Sequence, residues 1–159
     1  MIRWLAVWAL GSGGANVRQM VSLMGYCYKH RYFFWGARFC RIYMEKVYGC
    51  YISEKASVAS SVEFRHPNGI VIGDGVVVGE RVIIYQQVTL GGGRAGDQKL
   101  NNYPIVGNDC VIYSGAKILG PVSVGDNSII GANAVVISDV PKKSVAVGVP
   151  AKFHNRKNL

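Results

Sequence analysis

The chain is poor in acidic residues, in histidine and in long apolar runs, and each shortage excludes something. Only 9 of its 159 residues are Asp or Glu, against 18 Lys and Arg, which gives a net charge of +9. No stretch reaches the roughly 18 to 20 apolar residues that a membrane-spanning helix needs. Three histidines and four cysteines lack metal-ligand spacing, so we expect no bound metal. The charge indicates an anionic partner, and the lack of a nucleic-acid-binding motif argues against nucleic acid.

A period of six residues is the strongest positive signal in the chain. On a helix, residues six apart point in different directions, whereas on a strand they share one face. A single strand of this length would be far longer than strands in globular proteins, so the chain must turn after every few residues. The pattern therefore predicts a β-helix built from hexapeptide repeats. Its aliphatic positions are Ile72, Val78, Ile84, Leu90, Val106, Ile112, Ile118, Val124, Ile130 and Val136.

The repeat is interrupted twice. Two extra residues fall in the turn between Phe64 and Ile72, and about ten fall between Leu90 and Val106. Insertions in a solenoid form loops on one side, which is often the binding side. We therefore expect function near His66 in the first interruption and in an inserted loop at 91–104.

Residues 1–50 differ from the repeats and predict a short helical segment. Apolar residues follow helical spacing at Val17, Met20, Val21 and Met24, and again at Phe39, Ile42, Tyr43 and Val47. One interpretation is a cap over the open end of the solenoid; the other is peripheral membrane contact through its aromatic and basic residues. We favour the cap. The first ten residues weakly resemble a signal peptide, but we expect a packed helix there.

The cysteines indicate a reducing environment. Cys110 occupies a small inward position of the repeat, so we expect a buried free thiol, although an even number of cysteines leaves disulfides open. We expect a cytoplasmic protein, with the inner face of the membrane as an alternative location.

Four segments resemble the hexapeptide-repeat acyltransferases, most closely the serine O-acetyltransferase branch with its polysaccharide O-acetyltransferase relatives. They are His66–Gly73, Gln86–Gly92, Ser114–Gly120 and Val147–Ala151. The resemblance implies a mainly β protein, a left-handed parallel β-helix over 51–151, with a basic tail at 152–159. It also implies a homotrimer with acetyl-CoA, the acyl donor, bound in grooves between subunits.

The resemblance also assigns roles to individual residues. His66 corresponds to the catalytic general base, which can take a proton from the acceptor hydroxyl near neutral pH. Gly92 corresponds to a backbone contact with the acceptor or the thioester. Ser114 and Ala132 correspond to small residues beside the pantetheine arm, and Lys152 is a candidate for the CoA phosphates.

The chain also departs from the serine enzymes at three positions. Arg65 and Tyr51 stand where those enzymes have acidic residues, and Tyr103 replaces a histidine of the loop. Arg65, Gly92 and Tyr103 therefore become candidates for binding a different acceptor. We expect an acetyl-CoA-dependent O-acetyltransferase acting on a sugar or polysaccharide precursor. The alternatives are a serine O-acetyltransferase and a non-catalytic β-helix scaffold.

Overall fold

Three narrow sheets of mostly parallel strands enclose the core from residue 51 onward. The computed structural model describes residues 13–30 and 34–155; the apolar first ten residues and the end of the tail lie outside the described residues. The chain visits the three sheets in strict rotation, and each strand pairs with the strand one coil away. The period of six predicts the β-helix and the family resemblance implies its left-handed, parallel form, and both expectations are confirmed.

The sheets are named A, B and C in the order in which the chain reaches them. Sheet A contains β1 (Tyr51–Ile52), β4 (Val71–Ile72), β7 (Thr89–Gly91), β10 (Lys117–Leu119) and β13 (Val135–Val136). Sheet B contains β2 (Ser57–Val58), β5 (Val77–Val78), β8 (Ile105–Val106) and β11 (Ser123–Val124). Sheet C contains β3 (Glu63–Phe64), β6 (Ile83–Ile84), β9 (Val111–Ile112), β12 (Ile129–Ile130), β14 (Ser144–Val147) and β15 (Lys152–Asn155).

The aliphatic residues of the six-residue period form the core. From Ile72 to Val136 each of them is at most 3% exposed, and the compact residues two places earlier are buried as well. Strand pairing places these aliphatics directly over one another, as Leu90 over Ile118 and Ile118 over Val136 show. The stacking explains why the repeat tolerates only Val, Ile or Leu at this position, because every coil fills the same cross-section.

Two helices cover the first coil. Helix α1 (Gly13–Lys29) buries Val17, Met20, Val21 and Met24, as their spacing predicts, and packs against β2, β3 and α2 (Phe34–Tyr48). The helical prediction for α2 is also confirmed, but three of the four apolar residues that follow helical spacing there do not face the core. Ala37, Cys40 and Met44 face the core, whereas Phe39, Ile42 and Val47 are 40–65% exposed. Small and unbranched side chains are needed where the two helices pack closely, which leaves the bulkier ones outside.

All four cysteines are buried free thiols, which confirms the prediction for Cys110. Burial raises the pKa of the Cys40 thiol to about 11, and it also raises the pKa of Cys50 and Cys110. The thiols of Cys40, Cys50 and Cys110 are therefore poor nucleophiles, and these cysteines serve as small core residues.

Two segments are more ordered than the sequence predicts. The inserted loop contains a short helix, α3 (Asp97–Leu100). The first residues of the expected basic tail form β15, which runs antiparallel to β14 and pairs Lys152 with Val147. Across residues 13–30 and 34–155, no helix combines the length and apolarity required to cross a bilayer.

Candidate active site

His66 lies in the turn that leads from sheet C to sheet A, a border of the prism that we call the C–A edge. Its backbone has a φ of 49°, in the left-handed region, and its side chain is exposed. The two inserted residues widen this turn, so Asn68 rather than His66 maintains the contact with the next coil, by accepting a 2.8 Å hydrogen bond from the Gln87 amide. The widened turn leaves the His66 imidazole free to project outward.

The same edge carries three of the predicted site residues. The amides of Gln87, Gly115 and Asn133 donate hydrogen bonds to the backbone oxygens of Asn68, Gln86 and Ser114, at 2.8, 2.9 and 2.9 Å. These bonds stack four residues in a row along the C–A edge, namely Asn68, Gln86, Ser114 and Ala132, and His66 lies beside the upper end of the row, two residues before Asn68. With about 4.8 Å between neighbouring strands, the row extends about 14 Å along the rod.

Gln86 is a member of this row that motif reasoning missed. Its side-chain oxygen is buried and has no hydrogen-bond partner among the described residues. A buried amide oxygen without a partner costs stability, which is typical of groups kept for binding or catalysis. The signal in the sequence was its position, two residues after the aliphatic Ile84, as His66 is two residues after Phe64.

Lys152 lies near the lower end of the same edge. The turn before it is fixed to β13 by two backbone hydrogen bonds: the Val135 amide donates to Gly148 O at 3.0 Å, and the Ala151 amide donates to Val135 O at 2.8 Å. Because Val135 follows Ala132 by three residues, Lys152 begins β15 close to the last member of the row, and its side chain is exposed. Its ammonium group is available to an anionic ligand on this edge.

Gly92 and the inserted loop lie elsewhere, on the A–B edge, where the chain passes from sheet A to sheet B. The Asp97 carboxylate fixes the start of this loop. It accepts hydrogen bonds from the amides of Gly93 and Arg94, each at 2.7 Å, and from the Asn102 side chain at 3.1 Å. The Asn102 hydrogen bond, with those from the Arg94 and Gly93 backbone, lowers the pKa of Asp97. A side chain at Gly92 would press against Asp97.

Tyr103, near the end of the inserted loop, packs against the preceding coil. Its ring lies against Gly73 and Gly75, where an added Cβ would collide with the ring. Together with Lys55, Asp74, Gln98 and other residues it lines a pocket of about 540 Å³. Desolvation raises the pKa of the Tyr103 hydroxyl, and the nearby Asp74 charge acts in the same direction. Tyr103 is therefore a neutral hydrogen-bonding group in this pocket.

The pocket contains a carboxylate and an ammonium side by side. Asp74 accepts a 2.7 Å hydrogen bond from the Ser53 hydroxyl, and it lies 3.0 Å from Lys55 Nζ. The Ser53 hydrogen bond is the main cause that lowers the pKa of Asp74, and Lys55 contributes as well. The pocket can therefore present both charges to a zwitterionic ligand.

Arg65, beside His66, is paired with a carboxylate of its own coil. Its guanidinium lies 2.6 Å from Glu63, and both side chains are about half exposed. A carboxylate is therefore present two residues before Arg65, on strand β3, which leads into the His66 turn.

The predicted site residues thus fall into two groups that one chain does not bring together. His66, Ser114 and Ala132 share the C–A edge, with Lys152 near its lower end, whereas Gly92 and Tyr103 lie on the A–B edge. Sheet A separates the two edges. A single site that uses both groups would need two copies of the chain. Among the described residues, no cluster of His, Cys, Asp and Glu could hold a metal ion.

Comparison with known proteins first identifies the family to which the chain belongs. The family described as bacterial transferase hexapeptide (six repeats) matches residues 103–138. The chain belongs to the hexapeptide-repeat transferase family, in agreement with the β-helix and with the sequence resemblance.

Individual relatives of the chain are serine acetyltransferases. The chain is 42% identical over 105 residues to the serine acetyltransferase of Mycobacterium tuberculosis, which covers 65% of this chain and 44% of the relative. It is 43% identical over 104 residues to the serine acetyltransferase of Helicobacter pylori, which covers 65% of this chain and 60% of the relative. The chain therefore spans about half the length of the curated relatives that it matches.

Solved structures of serine acetyltransferases also resemble this chain. A serine acetyltransferase in complex with CoA superposes with a TM-score of 0.82 at 31% identity, covering 94% of this chain and 60% of that one. Soybean serine acetyltransferase complexed with serine gives a TM-score of 0.83 at 30% identity, covering 91% and 58%. Because the β-helix accounts for about two thirds of the chain, these superpositions must include residues of α1 and α2.

These relatives show that the expectation of a sugar or polysaccharide acceptor is wrong. It relied on three side chains, Tyr51, Arg65 and Tyr103, whereas the similarity to serine acetyltransferases extends over two thirds of the chain. The chain also has carboxylates near two of these side chains that the comparison of motifs leaves out. Glu63 lies 2.6 Å from Arg65, and Asp74 lines the same pocket as Tyr103.

Proposed function

We propose that the protein is a serine O-acetyltransferase that takes its acetyl group from acetyl-CoA. The observation that carries the proposal is the 42–43% identity to serine acetyltransferases over a segment as long as the entire β-helix. One solved relative is described as a complex with CoA and another as complexed with serine, so the fold accommodates both substrates in those proteins.

His66 is the general base of the proposed reaction. The serine hydroxyl oxygen attacks the thioester carbonyl carbon while the His66 imidazole takes the hydroxyl proton. The C–S bond then breaks, and the proton passes to the departing thiolate, which gives O-acetylserine and free CoA. General-base catalysis of this kind contributes typically 10²–10⁴-fold to the rate.

Acetyl-CoA is proposed to lie along the C–A edge. Ser114 and Ala132 are small, so an extended pantetheine arm can approach the backbone below His66. Lys152, near the lower end of the row, is placed to pair with phosphate groups, and the net charge of +9 favours a polyanionic donor in general.

Serine is proposed to bind in the pocket of the A–B edge. The Asp74 carboxylate suits the ammonium group of serine, and the Lys55 ammonium suits its carboxylate. Tyr103 and the Gly92 backbone complete that side, while Arg65 and its partner Glu63 flank the base. Because this pocket and His66 lie on different edges, the site needs two neighbouring subunits, and we propose a homotrimer with three such sites.

The acceptor is tested by steady-state release of CoA from acetyl-CoA. We expect saturable turnover with L-serine that exceeds turnover with simple sugars by at least about tenfold. Equal or faster turnover with sugars would overturn serine as the acceptor. Absence of both turnover and acetyl-CoA binding by calorimetry would overturn an acyltransferase function altogether.

The shared site is tested by mixing two inactive variants. His66→Ala removes the base from the C–A edge, and Asp74→Asn removes the proposed ammonium partner from the A–B edge. If each site combines residues of two subunits, mixed oligomers contain some sites with both residues intact and regain activity. Failure to regain activity, in oligomers shown by tagged purification to be mixed, would place the whole site within one chain.

We also propose a reducing, cytoplasmic location. The four buried cysteines with free thiols suit such a compartment.

A further inference from the structure

The outward surface of α2 is apolar, aromatic and basic. Trp35, Phe39 and Ile42 are 80%, 65% and 40% exposed, and their spacing places them on one stripe of the helix together with Lys46. The core-facing residues Ala37, Cys40 and Met44 lie on the opposite side. We call Trp35, Arg38, Phe39, Ile42 and Lys46 the outer face of α2.

Packing against the other described residues, 13–30 and 34–155, does not account for the outer face. A helix that only caps a solenoid needs one apolar side, toward the core, and charged or polar residues outside. Here two aromatic side chains of the helix, Trp35 and Phe39, are on the solvent side. A cluster of exposed large apolar side chains usually marks an interaction surface.

The charges on this surface are almost all positive. In the described parts of the hairpin, residues 13–30 and 34–48, there are five Lys or Arg residues and one acid, Glu45. Glu45 lies 3.5 Å from Arg41, which also pairs with Glu54. No ion pair among the described residues involves Arg38 or Lys46. A second copy of the same face, related by a two-fold axis, would bring these like charges together.

We propose that the outer face of α2 docks on an anionic membrane surface. Trp and Phe side chains insert at the level of the lipid headgroups, while Arg38 and Lys46 contact lipid phosphates. Tyr26, 59% exposed and near the end of α1, adds another exposed aromatic side chain to the helical hairpin. Because α2 has only 15 residues, it would lie along the membrane rather than cross it. The inner side of the hairpin still caps the β-helix, so one element serves both roles.

The test is flotation of the full chain with vesicles of phosphatidylcholine alone and with one quarter phosphatidylglycerol. We expect the full chain to bind the anionic vesicles. Binding to the neutral vesicles, or to the anionic vesicles in high salt, should be weaker by at least about tenfold. Equal binding to both vesicle types, or no binding to either, would overturn the proposal.

Two pairs of variants locate the surface. Arg38→Glu with Lys46→Glu should weaken binding about tenfold or more, whereas Lys142→Glu with Lys143→Glu should change it less than about threefold. Both double variants change the net charge equally, but Lys142 and Lys143 are exposed near the opposite end of the rod. Equal losses from the two pairs would show general charge attraction and overturn the docking site.

Trp35→Ser with Phe39→Ser tests the apolar contribution, with Phe153→Ser as the control. Phe153 is 49% exposed on β15, at the other end of the molecule. We expect at least about a tenfold loss for the first and no change for the control. The alternative is that the outer face of α2 is a contact between copies of the chain. Sedimentation of the lipid-free proteins tests it, because the α2 variants would then reduce the size of the oligomer. A reduced size would overturn the proposal.

Discussion

Gln86 lies one coil below the turn that carries His66, under Asn68, and its buried side-chain oxygen has no partner among the described residues. An amide at this position can accept a hydrogen bond from the imidazole N–H or from a bound pantetheine amide. His66 would then remain able to take a proton through its other ring nitrogen.

We predict that Gln86→Leu separates stability from activity. Removing an unsatisfied buried acceptor should leave the free energy of unfolding unchanged or raise it by about 1–3 kcal/mol. Acetyl transfer should fall about tenfold or more, since the hydrogen bond that it supplies during catalysis is lost. Thermal denaturation and steady-state kinetics measure the two effects. A clear loss of stability would show instead that Gln86 supports the fold.

We predict that His66→Ala lowers kcat by about 10²–10⁴-fold and leaves the affinity for acetyl-CoA unchanged, because the side chain acts on the acceptor proton. His154→Ala is the matched control, since His154 is exposed on β15 and belongs to neither edge. Calorimetry measures donor binding and CoA release measures turnover. A His66→Ala enzyme within about twofold of wild type would contradict the proposed base.

We predict that Gly75→Ala impairs acceptor use without impairing donor binding. An added Cβ would collide with the Tyr103 ring and the Asn101 side chain, so the inserted loop must shift. Gly91→Ala is the control, because a Cβ there meets no atom within 4 Å. We expect a raised KM for serine in the first variant only. Equal kinetics in both variants would show that the position of Tyr103 is unimportant.

We predict that Asp97 contributes stability to the inserted loop that is lost in acid. Hydrogen bonds from Asn102 and from the Arg94 and Gly93 amides hold its folded-state pKa below the ordinary value. The contribution is therefore complete above the unfolded pKa of about 4 and disappears as the pH falls through the folded pKa. Amide exchange of residues 93 and 94 should be faster in Asp97→Asn than in wild type at pH 7.

The difference in exchange protection between Asp97→Asn and wild type should shrink as the pH falls through the folded-state pKa of Asp97, because the wild-type carboxyl then also becomes neutral. A difference that stays constant with pH would contradict the role of the Asp97 charge.

The sequence predicts the coil well because the inward positions carry a simple constraint. Every coil fills the same cross-section, so each aliphatic from Ile72 to Val136 is specified by size and spacing alone. Size and spacing do not predict that Phe39 and Ile42 point away from the core. Helical spacing identifies a face, but which face packs depends on the close approach of a second helix.

The site was only partly predictable for a related reason. His66 was identified because it interrupts the period, whereas Gln86 follows the period and looks like an ordinary polar turn residue. The separation of His66 from Tyr103 was contained in the order of the strands, but a linear motif gives no indication of the edge on which a residue emerges. Asp74 lies in the pocket with Tyr103 although 29 positions separate the two in sequence.

The reversed strand at the end of the chain limits how far the rod can grow. Parallel strands leave hydrogen-bonding groups open on the last coil, and a second molecule could add to them as another coil. Strand β15 covers the open side of sheet C, next to β14. Because β15 runs antiparallel to β14, its direction does not match that of a further parallel coil. At the other end, α1 and α2 cover the first coil. Both ends are thus protected against end-to-end fibre formation, and a variant without Lys152–Asn155 should expose a surface for polymerisation.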